Sequence, residues 1–184
     1  MQDTLPIHFA PLQGYTEAIY RNAHDAFFGG VDTYYTPFVR LEKGNFRRRD
    51  VRGIEPENNG VPHLIPQLIA SSAEKAEVIL SLFIEKGYQE VDINLGCPFP
   101  LLAKRHNGSG ILPYPEEVKA LLSIVTRYPQ ISFSVKMRLG WEQPDECLAL
   151  APILNDLPLR QITMHPRLGK QGYKGEVDLQ GFSA

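Results

Sequence analysis

A chain of 184 residues with 43% hydrophobic content can bury the core of one domain, which excludes a disordered or low-complexity segment. The formal net charge of −2 singles out no partner, and no apolar run approaches the ~20 residues that span a bilayer. Two cysteines make neither a disulfide framework nor a zinc pattern, and Met1–Pro6 lacks the basic start and apolar run of a signal peptide, so a reducing cytoplasm is expected, without membrane or metal.

His8–Leu12 reads as a short buried strand and Gln13-Gly14-Tyr15 as the turn after it. Thr16 then caps a helix whose apolar positions Ile19, Ala23, Ala26 and Phe27 recur at helical spacing until Gly29-Gly30 stops it. Val31–Val39, rich in Tyr, Val and Thr, makes a second strand. A polar loop from Leu41 to Gly60 follows, long enough to be functional or mobile. Arg40, Lys43, Arg47, Arg48, Arg49 and Arg52 crowd its start against only Glu42 and Asp50, a pattern that suits a solvated face or a phosphate-binding surface. Leu64–Ala70 makes a third strand. Ser71 and Glu74 form a capping box for the next helix, with Ala76, Ile79, Leu80, Phe83 and Ile84 as its buried stripe and Gly87 as its end.

The fourth strand, Val91–Leu95, places Asp92 and Asn94 on one face and Val91, Ile93 and Leu95 on the other. Gly96-Cys97-Pro98 ends it, presenting a thiol at a strand's C-terminal end, where parallel α/β folds keep their active sites. On the cysteine alone, a small buried hydrophobe is the commoner role. A helix from Pro115 carries Val118, Leu121, Leu122 and Val125 at one face. In the fifth strand, Ile131–Leu139, Phe133, Val135, Met137 and Leu139 alternate with Ser132, Ser134, Lys136 and Arg138. A helix from Asp145 to Leu154, kinked near Pro152, leads to a sixth strand, Gln161–Arg167, with Thr163, His165 and Arg167 on one face. Residues 160–174 add the cations Arg160, Arg167, Lys170 and Lys174 with no acid among them.

Strands alternating with helices indicate a parallel sheet. Central strands of an open doubly wound sheet are apolar on both faces, whereas the last three strands here each keep a polar face. That pattern favours an α/β fold of (β/α)8 barrel type, with about six of eight units present. Such a barrel gathers Gln67, Asn94, Lys136, Arg138, His165 and Arg167 at its C-terminal mouth beside Cys97. Buried cations without counter-charges imply an anionic or strongly hydrogen-bonding ligand.

The motifs in order resemble those of the tRNA-dihydrouridine synthase family. Ala10-Pro-Leu-Gln-Gly-Tyr-Thr-Glu17 is similar to its opening motif, with Leu12 and Glu17 as departures. Asp92-Ile-Asn-Leu-Gly-Cys-Pro98 matches the cysteine signature, followed by Gly108-Ser-Gly110, Lys136-Met-Arg-Leu-Gly140, His165-Pro-Arg167 and Gln171-Gly-Tyr-Lys-Gly175. The resemblance implies an FMN-dependent barrel in which the reduced flavin gives a hydride to C6 of a uracil and Cys97 a proton to C5, with NADPH as reductant. It further implies that Gln67, Lys136 and His165 hold the flavin over the backbone of Pro11, Leu12 and Gln13. Asn94 and Arg138 then face the uracil, with Arg167 and Tyr173 also on the substrate side. A uridine in folded tRNA must be flipped out to reach the pocket. The two basic stretches are expected to hold its phosphates, with Tyr15, Phe46 or Tyr173 for stacking.

On this reading residues 1–184 are the catalytic barrel, without its last strands and any helical tRNA-binding domain. The phosphate loops after strands seven and eight are then absent, flavin binding is weak, and strands one and six are edges open to self-association. Two other readings are an FMN barrel acting on a small metabolite, against which the basic run argues, and a non-catalytic tRNA-binding fragment.

Overall fold

The computed structural model describes residues 5–183. In chain order its elements are β1 (His8–Phe9), α1 (Ala18–Phe27), β2 (Thr33–Tyr35), β3 (Leu41–Glu42), β4 (Asn45–Phe46), α2 (Arg48–Ile54), β5 (Leu64–Ile65), β6 (Gln67–Leu68) and α3 (Ala73–Glu85). There follow β7 (Glu90–Leu95), α4 (Pro100–Ala103), α5 (Pro115–Leu122), α6 (Ile124–Arg127), β8 (Ser132–Gly140), α7 (Glu146–Asn155), β9 (Leu159–Leu168) and α8 (Leu179–Ser183).

β1, β2 and β5 pair in parallel in that order, and so do β6, β7, β8 and β9. β5 and β6 are one barrel strand interrupted at Pro66, which has no N–H for a ladder. Asp92 N–H still donates to the Pro66 carbonyl at 3.0 Å, and Val39 bridges Leu68 in parallel, so the two groups join. Each strand therefore lies beside the next in the chain, with none of the order reversal of a doubly wound sheet. This is the sheet of a (β/α)8-type barrel, with six of its strands among the described residues.

The alternation in β7 and β8 sorts their side chains as the sequence predicts. Val91, Ile93 and Leu95 of β7 and Phe133, Val135, Met137 and Leu139 of β8 are fully buried in the outer core. Ala76, Ile79, Leu80 and Phe83 of α3 pack in the same core, as do Val118, Leu121 and Leu122 of α5 and Leu150 and Leu154 of α7. Polar residues line the opposite face in layers. Gln67, Asp92, Ser134 and Gln161 are in register, Asn94, Lys136 and Thr163 form the next layer, and Arg138 beside His165 the last.

Several local expectations are corrected. The 41–60 stretch is not a loop but a β3–β4 hairpin followed by α2; Lys43 and Gly44 at its tip have φ of 51° and 80°, as a tight two-residue hairpin turn requires. Phe46 is half-buried and packs against the core from this hairpin, whereas Tyr15 and Tyr173 are exposed. Thr16 does not cap α1: its Oγ1 accepts from Leu12 N–H at 2.9 Å and closes the turn before the helix. α3 starts from Ser72 rather than Ser71, and Ile84 falls outside the buried stripe.

α1 also departs from expectation, since Ile19 and Phe27 are 74% and 83% exposed and the one buried residue of the helix is Arg21. Arg21 Nη1 donates to the Thr16 carbonyl at 2.6 Å and Nη2 to the Gly53 carbonyl at 2.9 Å, tying α1 to the end of α2. Burial lowers its pKa to about 10. Arg160 is separated from the other cations of the 160–174 stretch by the length of β9 and ion-pairs with Glu90 at 3.1 Å, so that stretch is not one basic surface.

Candidate active site

Cys97 is held by three short-range devices. Asn94 Oδ1 accepts from the N–H groups of Gly96 at 3.0 Å and Cys97 at 2.8 Å, turning the chain as β7 ends. Ser109 donates through N–H at 3.0 Å and through Oγ at 2.9 Å to the Cys97 carbonyl. A Cβ on Gly108 would lie 2.6–2.9 Å from the oxygen, Cβ and N of Cys97, and its φ is +61°, so glycine is required against the thiol-bearing turn. The thiol is half-buried, and burial pushes its pKa up, opposed by the charges of Arg138 and Arg40. A raised thiol pKa keeps the proton on Sγ through neutral pH, which suits a proton donor better than a nucleophile.

Beneath the cysteine runs a buried hydrogen-bond chain. Asn94 Nδ2 donates to Gln67 Oε1 at 2.7 Å, Gln67 Nε2 donates to Asp92 Oδ2 at 2.6 Å, and Ser134 Oγ donates to Asp92 Oδ1 at 2.6 Å. All four residues are buried.

Arg138 is committed to the backbone. Its Nε donates to the Gly96 carbonyl at 3.0 Å, and its Nη1 to the Leu168 and Gly172 carbonyls at 2.8 and 2.7 Å. The guanidinium carbon lies 5.4 Å from the centre of the Tyr173 ring. Arg138 thus ties the cysteine turn to the segment after β9 and holds the exposed Tyr173 at the rim. Lys136 is half-buried and has no hydrogen-bond or ion-pair partner among the described residues; burial and Arg138 lower its pKa, while Asp92 raises it. Arg167 Nη1 lies 3.3 Å from His165 Nε2, and because arginine has no acceptor, Nε2 accepts and the proton sits on Nδ1. Burial, with the charges of Arg138, Lys136 and Arg167, lowers the His165 pKa to about 4, so the ring is neutral at pH 7.

A cavity of about 250 Å³ opens among these groups, its lining including Pro11, Leu12, Gln13, Gln67, Asn94, Cys97, Lys136, Arg138, His165 and Tyr173. Every site residue expected from the sequence therefore lines it except Arg167, whose guanidinium donates to the Gly175 carbonyl at 3.1 and 3.3 Å. Outside it, sharing Cys97, lies a vestibule of about 870 Å³ walled by Tyr15, Phe99, Trp141 and Tyr173 and flanked by Arg40, Arg47, Arg49, Lys170 and Lys174, with no acid in its lining. Phe99 and Trp141 do not stand out in the sequence by composition or spacing. A signal is present all the same, since both adjoin quoted motifs, the cysteine signature and the lysine motif.

A parallel barrel sheet with a protonated thiol, an unpaired lysine and a neutral histidine around one cavity at its C-terminal mouth defines a (β/α)-barrel domain with a thiol-centred ligand site. A family profile described as dihydrouridine synthase (Dus) matches residues 8–183, and the chain belongs to that family. It is 29% identical over 178 residues to the probable tRNA-dihydrouridine synthase 1 of Synechocystis sp., covering 93% of this chain and 48% of the relative. It is 28% identical over 187 residues to the tRNA-dihydrouridine(16) synthase of Haemophilus ducreyi, covering 92% and 54% respectively. Against the tRNA-dihydrouridine synthase B of Vibrio cholerae it is 31% identical over 120 residues, 65% of this chain and 35% of the relative. The chain spans about half the length of these curated relatives. No helix among the described residues is long and apolar enough to cross a membrane.

Proposed function

We propose that this chain carries the catalytic cleft of a tRNA-dihydrouridine synthase, in which Cys97 donates a proton to C5 of a uracil flipped out of tRNA. The supporting observation is the place of Cys97, shared by an inner cavity with unmatched polar groups and an outer vestibule that is aromatic and basic, where burial pushes the thiol pKa up. The lining of the inner cavity suits the polar ring of a flavin such as FMN. Lys136 lacks an anionic partner, and Gln13 keeps both Nε2 and Oε1 buried without hydrogen bonds among the described residues, a cost that a ligand with both donors and acceptors relieves. Gln67, Lys136, His165 and the backbone of Pro11–Gln13 would hold the flavin, which when bound and reduced would be the hydride source for C6, with NADPH as its reductant. Arg138 keeps the cysteine turn and Tyr173 at a fixed separation, and the vestibule aromatics stack the flipped base or its neighbours while excluding water. The test is to incubate the purified chain with FMN, NADPH and unmodified tRNA transcript and to measure dihydrouridine by mass spectrometry. Flavin binding without product on any transcript would reject the activity for this chain.

The basic stretch divides into two roles. Arg47 and Arg49 lie 3.8 and 3.7 Å from the buried Asp50, and Arg49 also reaches Glu17 at 3.4 Å. Arg48 and Arg52, four residues apart on α2, have no ion pair among the described residues and line a groove of about 560 Å³ with Arg49, Asn58 and Glu17. Replacing Arg48 and Arg52 by alanine is therefore expected to weaken tRNA binding and to flatten its salt dependence by about one unit of slope for each phosphate no longer neutralised. Replacing Arg47 and Arg49 instead leaves the buried Asp50 with only the backbone hydrogen bond and charge of Arg40, and is expected to lower the melting temperature. Filter binding across a salt series checks the first and thermal melting the second, and unchanged affinity and slope in the Arg48/Arg52 double variant would return that face to solvated charge.

A further inference from the structure

We infer that a second cavity, joined to the vestibule at Trp141, binds the base of the RNA nucleotide next to the flipped uridine. The inference rests on the proposed function for what occupies the vestibule. The cavity measures about 410 Å³ and is walled by the segment from the end of α4 to Tyr114 and by the loop after β8. Trp141 belongs to both linings, so the two sites are neighbours across one side chain.

Its aromatic groups are set in place before any ligand arrives. His106 stacks on Tyr114 with ring centres 4.1 Å apart and planes 11° apart, and its Nδ1 lies 2.7 Å from Glu117 Oε2. Both rings stay open to solvent, Tyr114 at 42% and the His106 side chain at 36%. His106 has φ of +51°, a left-handed conformation that glycine takes without strain, and here that strain keeps an imidazole in the wall of a cavity. Trp141 is equally fixed. The Glu146 carboxylate accepts from the N–H groups of Trp141 at 2.6 Å and of Glu142 and Gln143 at 3.0 Å. A Cβ on Gly169 would lie 2.2 Å from Trp141 Cε3, so only glycine lets that segment close on the indole.

Charge narrows the class of ligand. Glu146 is taken up by backbone N–H groups, Glu142 pairs with Lys170 at 2.6 Å, and Glu117 faces His106. Lys104 is exposed in the lining and has no ion pair among the described residues. Preset rings beside one free cation match a nucleobase and its phosphate; an apolar peptide would leave the lysine unmet, and a simple anion would leave the rings unused.

The experiment couples the protein to the RNA base. RNA pentamers with a central uridine, intact or with an abasic nucleotide on its 5′ or 3′ side, are titrated with the purified chain by fluorescence anisotropy. The parent is expected to lose roughly 5- to 150-fold in affinity when the base on one side is removed, the range for one stacked base. Tyr114→Ala, and His106→Gly, which suits the φ of its position, are each expected to weaken the intact pentamer within that range and to become insensitive to the abasic change. Tyr114→Phe keeps the stack and the parental response. Lys104→Met weakens all the pentamers alike and flattens the salt dependence by about 0.7 of a unit of slope, as for one phosphate on a single strand. If Tyr114→Ala fails to fold, His106→Gly carries the same comparison. A parent indifferent to the loss of either neighbouring base overturns the inference, as do protein and RNA losses that merely add. Adenosine 2′,5′-bisphosphate tests the other source of a stacked base: binding that depends on Tyr114, without coupling to RNA, would give the cavity to a dinucleotide reductant and overturn the RNA assignment. Coupling at Tyr114 in a chain that forms no dihydrouridine leaves the base site standing and rejects the proposed activity, whereas dihydrouridine formed without coupling does the reverse.

Discussion

Cys97→Ala is expected to reduce dihydrouridine formation by ~10²–10⁴-fold, the range that a positioned general acid contributes, while leaving the flavin absorbance and the melting temperature unchanged. The side chain is half-buried and its backbone contacts through Asn94 and Ser109 do not involve the thiol, so alanine keeps the turn and loses only the proton. The pH dependence has a definite sign. A donor whose pKa is raised by burial stays loaded through neutral pH and fails only as pH climbs past the raised value, so the wild-type rate should be flat around pH 7 and fall in the alkaline range. Near-parental product yield in the alanine protein, with NADPH consumed stoichiometrically, would remove Cys97 from the mechanism.

The second large effect belongs to Arg138. The family resemblance puts this residue against the uracil, and it does line the cavity, but Nε and Nη1 are occupied by three backbone carbonyls from two segments. Arg138→Met removes the donors and leaves those half-buried carbonyls unmatched, each at up to about 1–3 kcal/mol. A net loss of ~3 kcal/mol lowers the melting temperature by about 6–12 °C for a chain of this size. Arg138→Lys is expected to recover little of it, because a single ammonium on a flexible stem cannot serve carbonyls in three directions as a planar guanidinium does. A lysine variant that melts with the parent would show that Arg138 acts as a charge rather than as a clamp.

What can be read from the chain depends on whether one face of an element meets the core. β7 and β8 alternate strictly and are packed on their apolar side, so strand, face and the layer of Asp92, Asn94, Ser134 and Lys136 all follow from period two. The sequential strand order follows in turn from the βα rhythm. α1 defeats the same logic: Ile19 and Phe27 recur at helical spacing, yet the contacts that organise the helix are polar and come from Arg21, whose value no hydrophobic pattern registers. The β3–β4 hairpin is hidden by charge, although Lys43-Gly44 between two short extended pairs carries its turn signal. At the site, residue types and strand ends bring the cavity lining together, but not the commitments of its members. That Arg138 and Arg167 spend donors on carbonyls depends on where the segment after β9 folds back, which lies beyond the reach of local pattern.

The order of strands in the sheet also sets an order of events in folding. Each strand's partner is its immediate successor, so every unit closes over a short loop and none waits for a distant segment. The ladders are unequal, however: β7, β8 and β9 run for six, nine and ten residues, whereas β1 has two and β2 three. The long ladders, backed by the fully buried stripes of α3 and α5, form the unit that native-state hydrogen exchange should find opening only with the whole molecule. The amides of β1 and β2, beside a helix whose apolar residues face outward, should exchange through a cheaper partial opening. The β1–β2 end of the sheet is then the last to be secured, and it stays accessible to chaperones and proteases until the longer ladders have given it an edge to join.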